Sequence, residues 1–276
     1  MGNWEKEFFS IAFISYFVAS CLYIGHLIWL KEKLGSYARV FTILGFLVNT
    51  LAMVARTMNA GHIPFANMYE FGMAFVWGLT LLYIYIEYRH KNYSLGAFIL
   101  PVAFVLTGIF SNFYQEAHPL MPALKSNWLL VHVITAVIAY GALAISFALA
   151  LMYLWKQRIE ETGEQGPLMS KLPPLVTISA LVNQCIDLAV PFLTLLIITG
   201  AVWAEYAWGS YWRWDPKETW SLITWLIYAI YLHGRVSLGW RGKKAMNWAV
   251  VGFITVLFTF IGVNVLLPGL HSYALL

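Results

Sequence analysis

The sequence predicts an all-α, polytopic integral membrane protein, a single helical bundle of about eight transmembrane helices spanning residues 1–276. Three observations carry this. The chain is 61% hydrophobic and only 11% charged, where a soluble domain carries about 25% charged residues to wet its surface. The apolar residues fall in runs longer than the roughly 20 residues that span a bilayer. The basic residues collect in alternate loops, the positive-inside signature.

Spans are predicted at about 8–30, 39–58, 67–88, 93–113, 128–154, 186–207, 218–235 and 246–267. The loops after spans 1, 3, 5 and 7 hold Lys31, Lys33, Arg39, Arg89, Lys91, Lys156, Arg158, Lys171, Arg235, Arg241, Lys243 and Lys244, twelve of the seventeen Lys and Arg. These loops are therefore expected in the cytoplasm and both termini outside. The net charge of +4 is accounted for by these loops, and no basic patch for nucleic acid is expected. The N-terminus, with Glu5 and Glu7, is acidic where a signal peptide is basic, so no cleavage is expected.

Span 5 carries Ala139, Ala142, Ser146 and Ala150 along one face, a small-residue stripe that permits close helix approach. The connection 157–185 breaks at Pro173 and Pro174. Beyond that break Ile178, Leu181, Val182 and Cys185 recur at helical spacing, which predicts a short helix lying in the interface. Cys21 and Cys185 are not arranged as a redox pair and are read as apolar packing residues.

Trp203, Trp208, Trp212, Trp214, Trp220 and Trp225 fall within 23 residues around the connection between spans 6 and 7. An aromatic belt at the membrane surface is one explanation. The packing of Trp208, Trp212 and Trp214 into a single short loop favours another, flat surfaces for a planar aromatic ligand. Arg213 and Lys217 are then available to its carboxylates. Asp215, Pro216 and Glu218 have the spacing of an N-cap, N1 and N3, so Asp215 is assigned first to starting span 7. In the loop after span 2, Asn67 and Glu70 have the same spacing, and His62 and Tyr69 are read as loop-stabilising before ligand-binding.

Four of the seven histidines sit where ligands can. His132 lies near the outer end of span 5 and His271 beyond span 8, on the same side. His233 is about 15 residues into span 7, roughly 22 Å along it at about 1.5 Å per residue, and His26 reaches a similar depth in span 1. Intramembrane ionisable residues are costly and functional by default, and neutral imidazole is a usual axial ligand of haem iron. His90 and His118 read as solvated.

With these residues in view the chain resembles the CcsA family of cytochrome c biogenesis proteins. The resemblance covers Gly61-His-x-Pro through Asn67-x-Tyr-Glu70 and nearly everything from 200 to 273. The latter includes Trp208-Gly-Ser-Tyr-Trp-Arg-Trp-Asp-Pro-Lys-Glu218, similar to the haem-handling WWD signature, with Tyr231-Leu-His-Gly-Arg235 and Gly269-Leu-His-Ser-Tyr273. The first spans match only in hydropathy.

The resemblance implies that His132 and His271 hold the iron of haem b from two sides, while Trp208, Trp212, Trp214 and Asp215 form the WWD site at about 203–225. It implies that His233 belongs to an inner haem site, completed by a histidine of a CcsB-type partner, with His26 as an alternative. The implied reaction is attachment of haem to the Cys-x-x-Cys-His segment of an apocytochrome c. The implied location is the outer face of a bacterial cytoplasmic membrane, or its thylakoid equivalent. Two rivals stand beside it: a stable transmembrane di-haem electron carrier, and a CcmC-like haem delivery protein, which the presence of His233 disfavours.

Overall fold

The computed structural model describes residues 4–163, 166–267 and 269, all of them in helices or connecting turns. The long helices are α1 (Trp4–Trp29), α2 (Glu32–Ala60), α3 (Met68–His90), α4 (Gly96–Ser111) and α5 (Asn127–Thr162). A one-turn α6 (Pro167–Lys171) then leads to α7 (Leu175–Trp208), α8 (Pro216–Val236) and α9 (Gly242–Leu257). The last runs through a π-helical turn, Phe258–Gly262, into α10 (Val263–Leu266).

Seven segments are long and apolar enough to cross a membrane: α1, α2, α3, Tyr93–Ser111, α5, α7 and Gly242–Leu266. The eighth predicted crossing, α8, has 21 residues but interleaves Trp, Tyr, Thr and Ser with its Leu and Ile. It packs antiparallel on α7, where Trp225 Nε1 donates to Thr194 Oγ1 and Tyr231 Oη to Asn183 Oδ1.

Helix α5 is the axis of the bundle. Of its apolar window 83% is buried, against 33% in α2 and in α7, and it packs on α3, α4, α7 and α9. The predicted small-residue stripe is the reason: Ala139, Ala142, Ser146 and Ala150 are all fully buried. A Cβ on Gly141 would meet the Leu79 backbone nitrogen at 3.0 Å, so α3 and α5 touch backbone to backbone.

Two expectations are corrected. No separate interfacial helix exists at 178–185, because α7 is continuous from Leu175 to Trp208 through Pro191. Ile178, Leu181, Val182 and Cys185 are buried against the core. The polar residues of this stretch are paired sideways, Asn183 with Tyr231 and Asp187 with Arg235 of α8. Likewise α5 continues beyond residue 154 to Thr162, and Lys156, expected in a loop, is buried. Its ammonium donates to the carbonyls of Leu172 at 3.3 Å and Pro173 at 2.7 Å.

The connections 61–67, 112–126 and 209–215 meet at one end of the bundle. There Arg56, fully buried, donates to Glu70 at 2.8 Å, to Glu5 at 3.2 Å and to the Gln115 and Glu116 carbonyls. One guanidinium thus ties the starts of α1 and α3 and the 112–126 connection together. Buried charge is tolerable only when paired in this way.

A candidate haem site at one end of the bundle

That same end carries a cavity that is partly open to the outside. Its walls come from Phe65–Met68 and Phe71, from α5, α7 and the start of α8, from Tyr211 and Trp212 of the Trp-rich loop, and from Thr259 and Phe260. The last two reach it from the π-helical turn, a distortion that recurs at functional sites.

His132 lies on the α5 wall, with Nδ1 2.9 Å from the Leu196 carbonyl oxygen. A carbonyl only accepts, so Nδ1 carries the proton and the ring lone pair is on Nε2, the nitrogen that can bind a metal. Trp203, almost fully buried, lies nearly parallel to the imidazole at 6.0 Å and is itself held by Nε1 donating to the Ala123 carbonyl at 3.0 Å.

The tryptophans divide. Trp212 faces the cavity beside Trp203. Trp208 is behind that wall, edge-on to Trp203 at 4.9 Å, and Trp214 is 68% exposed with a left-handed backbone (φ 59°). Trp214 meets Trp212 edge to face at 5.7 Å. The cavity-facing pair is therefore Trp203 and Trp212, whereas the expected contact residues Trp208 and Trp214 do not line it. Trp220 packs on Phe258 and Trp225 fastens α8 to α7, so both are structural.

Asp215 does what its spacing predicts. Its Oδ1 accepts from Lys217 N at 2.9 Å, while Glu218 Oε2 accepts from Asp215 N at 3.2 Å and from Arg213 N at 2.8 Å. This capping box fixes the Trp-rich loop to α8. A Cβ on Gly269 would lie 2.5 Å from Asp215 Oδ2, so the chain leaving α10 passes directly over the cap. His271, two residues on, lies outside the described residues.

Lys217 also lines the cavity, its Nζ 3.3 Å from Asn264 Oδ1. Sequence reasoning named it beside Arg213, but Arg213 is exposed and spends Nη2 on the Trp208 carbonyl. Gly200, Tyr211, Thr259 and Phe260 were not singled out, although Tyr211 lies inside the Trp208–Glu218 signature.

The remaining histidines separate clearly. His233 is exposed on α8. His26 is buried at the far end of α1, Nδ1 on the Lys31 carbonyl at 2.9 Å and edge-on to Tyr93. His62 bridges the Ile63 and His118 carbonyls, a loop-stabilising role, and Tyr69 is buried away from the cavity.

A polytopic helical bundle with a histidine-bearing, tryptophan-walled cavity defines a class that comparison with known proteins makes specific. Residues 65–271 match the family described as Cytochrome C assembly protein. Cytochrome c biogenesis protein CcsA of Guillardia theta is 39% identical over 252 residues, covering 84% of this chain and 83% of that protein. The CcsA of Gloeobacter violaceus is 35% identical over 324 residues, covering 95% and 94%. The solved structure of Cytochrome c Heme Lyase CcmF superposes with a TM-score of 0.70 at 18% identity, covering 93% of this chain and 46% of that longer one, a likeness of fold. The chain belongs to the cytochrome c assembly protein family, among its CcsA-type cytochrome c biogenesis proteins.

Proposed function

We propose that this chain takes haem b as its substrate and presents it for covalent attachment to the Cys-x-x-Cys-His segment of an apocytochrome c, on the outer face of the membrane, together with a CcsB-type partner. The observation that carries the proposal is His132. Its imidazole donates from Nδ1 to the Leu196 carbonyl, which puts the ring lone pair on Nε2, in a cavity walled by Trp203 and Trp212. Family membership supports the cytochrome c role.

On this reading His132 holds the haem iron from one side and His271 from the other. The two tryptophan faces lie along the ring, and the Lys217 ammonium pairs with a propionate. The protein contributes by positioning, holding the vinyl groups where the apocytochrome thiols arrive. His233 belongs to a second, inner haem site that the partner completes, and its exposure on α8 leaves its ring accessible to another chain.

The test is co-expression with a CcsB-type protein and an apocytochrome, scoring covalent haem. Wild type should mature the cytochrome. His132→Gly and His271→Gly should not, and added imidazole should restore part of the yield by filling the vacant ligand position. Full maturation by either variant would remove that histidine from the site.

A further inference from the structure

Tyr140 is 6% exposed and lines the cavity from α5, yet its hydroxyl has no hydrogen-bond partner among the described residues. Nor is its oxygen sealed in the packing, as the Tyr228 oxygen is. Buried hydroxyls are normally satisfied, so one left open to a cavity calls for an explanation. Tyr140 lies eight residues beyond His132, about 12 Å deeper along α5, and helical side chains lean back toward the N-terminus. Its ring therefore reaches up to the floor of the cavity. It stands edge-on to Phe71 at 6.2 Å, Phe71 lies 4.4 Å from Phe260, and the Lys217 ammonium is 5.5 Å from the Phe260 ring. Tyr140 and Lys217 thus flank one aromatic patch of the cavity wall.

Haem carries its two propionates on one half of the ring and its two vinyl groups on the other. The apocytochrome thiols arrive from outside the membrane, so the vinyl half must face the mouth. The propionates then point inward, where a carboxylate shielded from water needs donors. Lys217 supplies one. Elsewhere in the wall the donors are spent: Trp203 on the Ala123 carbonyl, Thr259 on the carbonyls of Trp220 and Thr255, and His132 on the Leu196 carbonyl.

We infer that haem sits in the cavity with its vinyl half outward, and that the Tyr140 hydroxyl donates to the inward propionate that Lys217 leaves unpaired. This inference rests on the reading of the cavity as the haem site. Tyr140 is then a specificity-determining residue. It selects a carboxylate-bearing porphyrin and sets which half of the ring the thiols meet.

Tyr140→Phe removes the oxygen and keeps the ring. The full chain with its CcsB-type partner, produced under haem depletion, is titrated with two iron porphyrins that both lack vinyl groups. Iron mesoporphyrin keeps both propionates, whereas iron etioporphyrin carries alkyl groups alone. Binding at this site is read as the spectral change that His132→Gly abolishes. The expected result is Y140F protein that binds iron mesoporphyrin about 10-fold or more weakly than wild type, the worth of a hydrogen bond to a charged group. Iron etioporphyrin should bind both proteins equally, and ligand-free Y140F should keep its thermal midpoint.

Unchanged affinity for iron mesoporphyrin overturns the inference. So does an equal loss for both porphyrins, which would assign the hydroxyl to the shape of the cavity. A lowered midpoint in ligand-free Y140F overturns it too, since the hydroxyl would then serve the fold. Wild-type protein that binds neither porphyrin through His132 overturns the haem reading itself, and the inference with it.

Discussion

The His132 imidazole lies against the backbone of Gly200, where a Cβ would stand 2.9 Å from both Cε1 and Nδ1 of the ring. Gly200 therefore sets the ring position on α7, together with the Leu196 carbonyl one helical turn earlier. Gly200→Ala should displace the ring and break the Nδ1 hydrogen bond while leaving the fold intact, since Ala is the better helix former. The expected outcome is protein of normal thermal stability with reduced haem content and an altered absorption spectrum. Normal haem spectra in this variant would show that the contact is incidental.

Asp215 is expected to matter through capping rather than charge. Asn caps helices about as well, so Asp215→Asn should be mild. Asp215→Ala should cost about 0.5–2 kcal/mol and loosen both the Trp-rich loop and the chain passing over it at Gly269. Comparing the thermal midpoints and maturation yields of the two variants checks this. Equal damage by Asn and Ala would make the charge the operative property.

His233→Gly, co-purified with a CcsB-type partner, should carry little haem and recover it with imidazole. His132→Gly should retain haem and change only part of the spectrum. Normal haem in the His233 variant would leave His233 an ordinary exposed side chain of α8.

Arg56→Met should strand two buried carboxylates, Glu5 and Glu70, at the junction of α1, α3 and the 112–126 connection. The expected loss is about 3–5 kcal/mol of stability, read as a large drop in thermal midpoint in detergent. Restoring stability with the triple variant Glu5→Gln, Glu70→Gln and Arg56→Met would confirm that unpaired charge causes the loss.

The clustering of Lys and Arg in alternate loops predicts that both termini face outward. A reporter fused after Leu276 that is active only outside the cytoplasm should therefore be active. Cytoplasmic activity would reverse the assignment of both haem sites to their faces.

The helices were legible because apolar runs of membrane-spanning length leave few other folds, and the Asp215 cap because its signal is local, four residues long. What eluded sequence reasoning was lateral. Pro173 and Pro174 suggest a connection that leads to a separate interfacial helix, whereas α7 runs unbroken from Leu175, its Asn183 and Asp187 answered by Tyr231 and Arg235 of α8. No spacing rule predicts that Trp212 faces the cavity while Trp214, with its left-handed backbone, is exposed. The Arg56 cluster joins residues 51 and 14 positions apart, a proximity created by the bundle alone.

The π-helical turn at Phe258–Gly262 acts as a phase shift. A π turn holds one residue more than the α turn it replaces, and each residue of an α-helix advances the chain by about 100°. Asn264 beside Lys217, and the segment that crosses Asp215 at Gly269, therefore owe their bearing to that single added residue. A one-residue deletion there would leave the hydrophobic character of the last crossing unchanged. It would also swing everything beyond it by about a quarter turn, taking Asn264 away from Lys217 and Gly269 off the Asp215 cap.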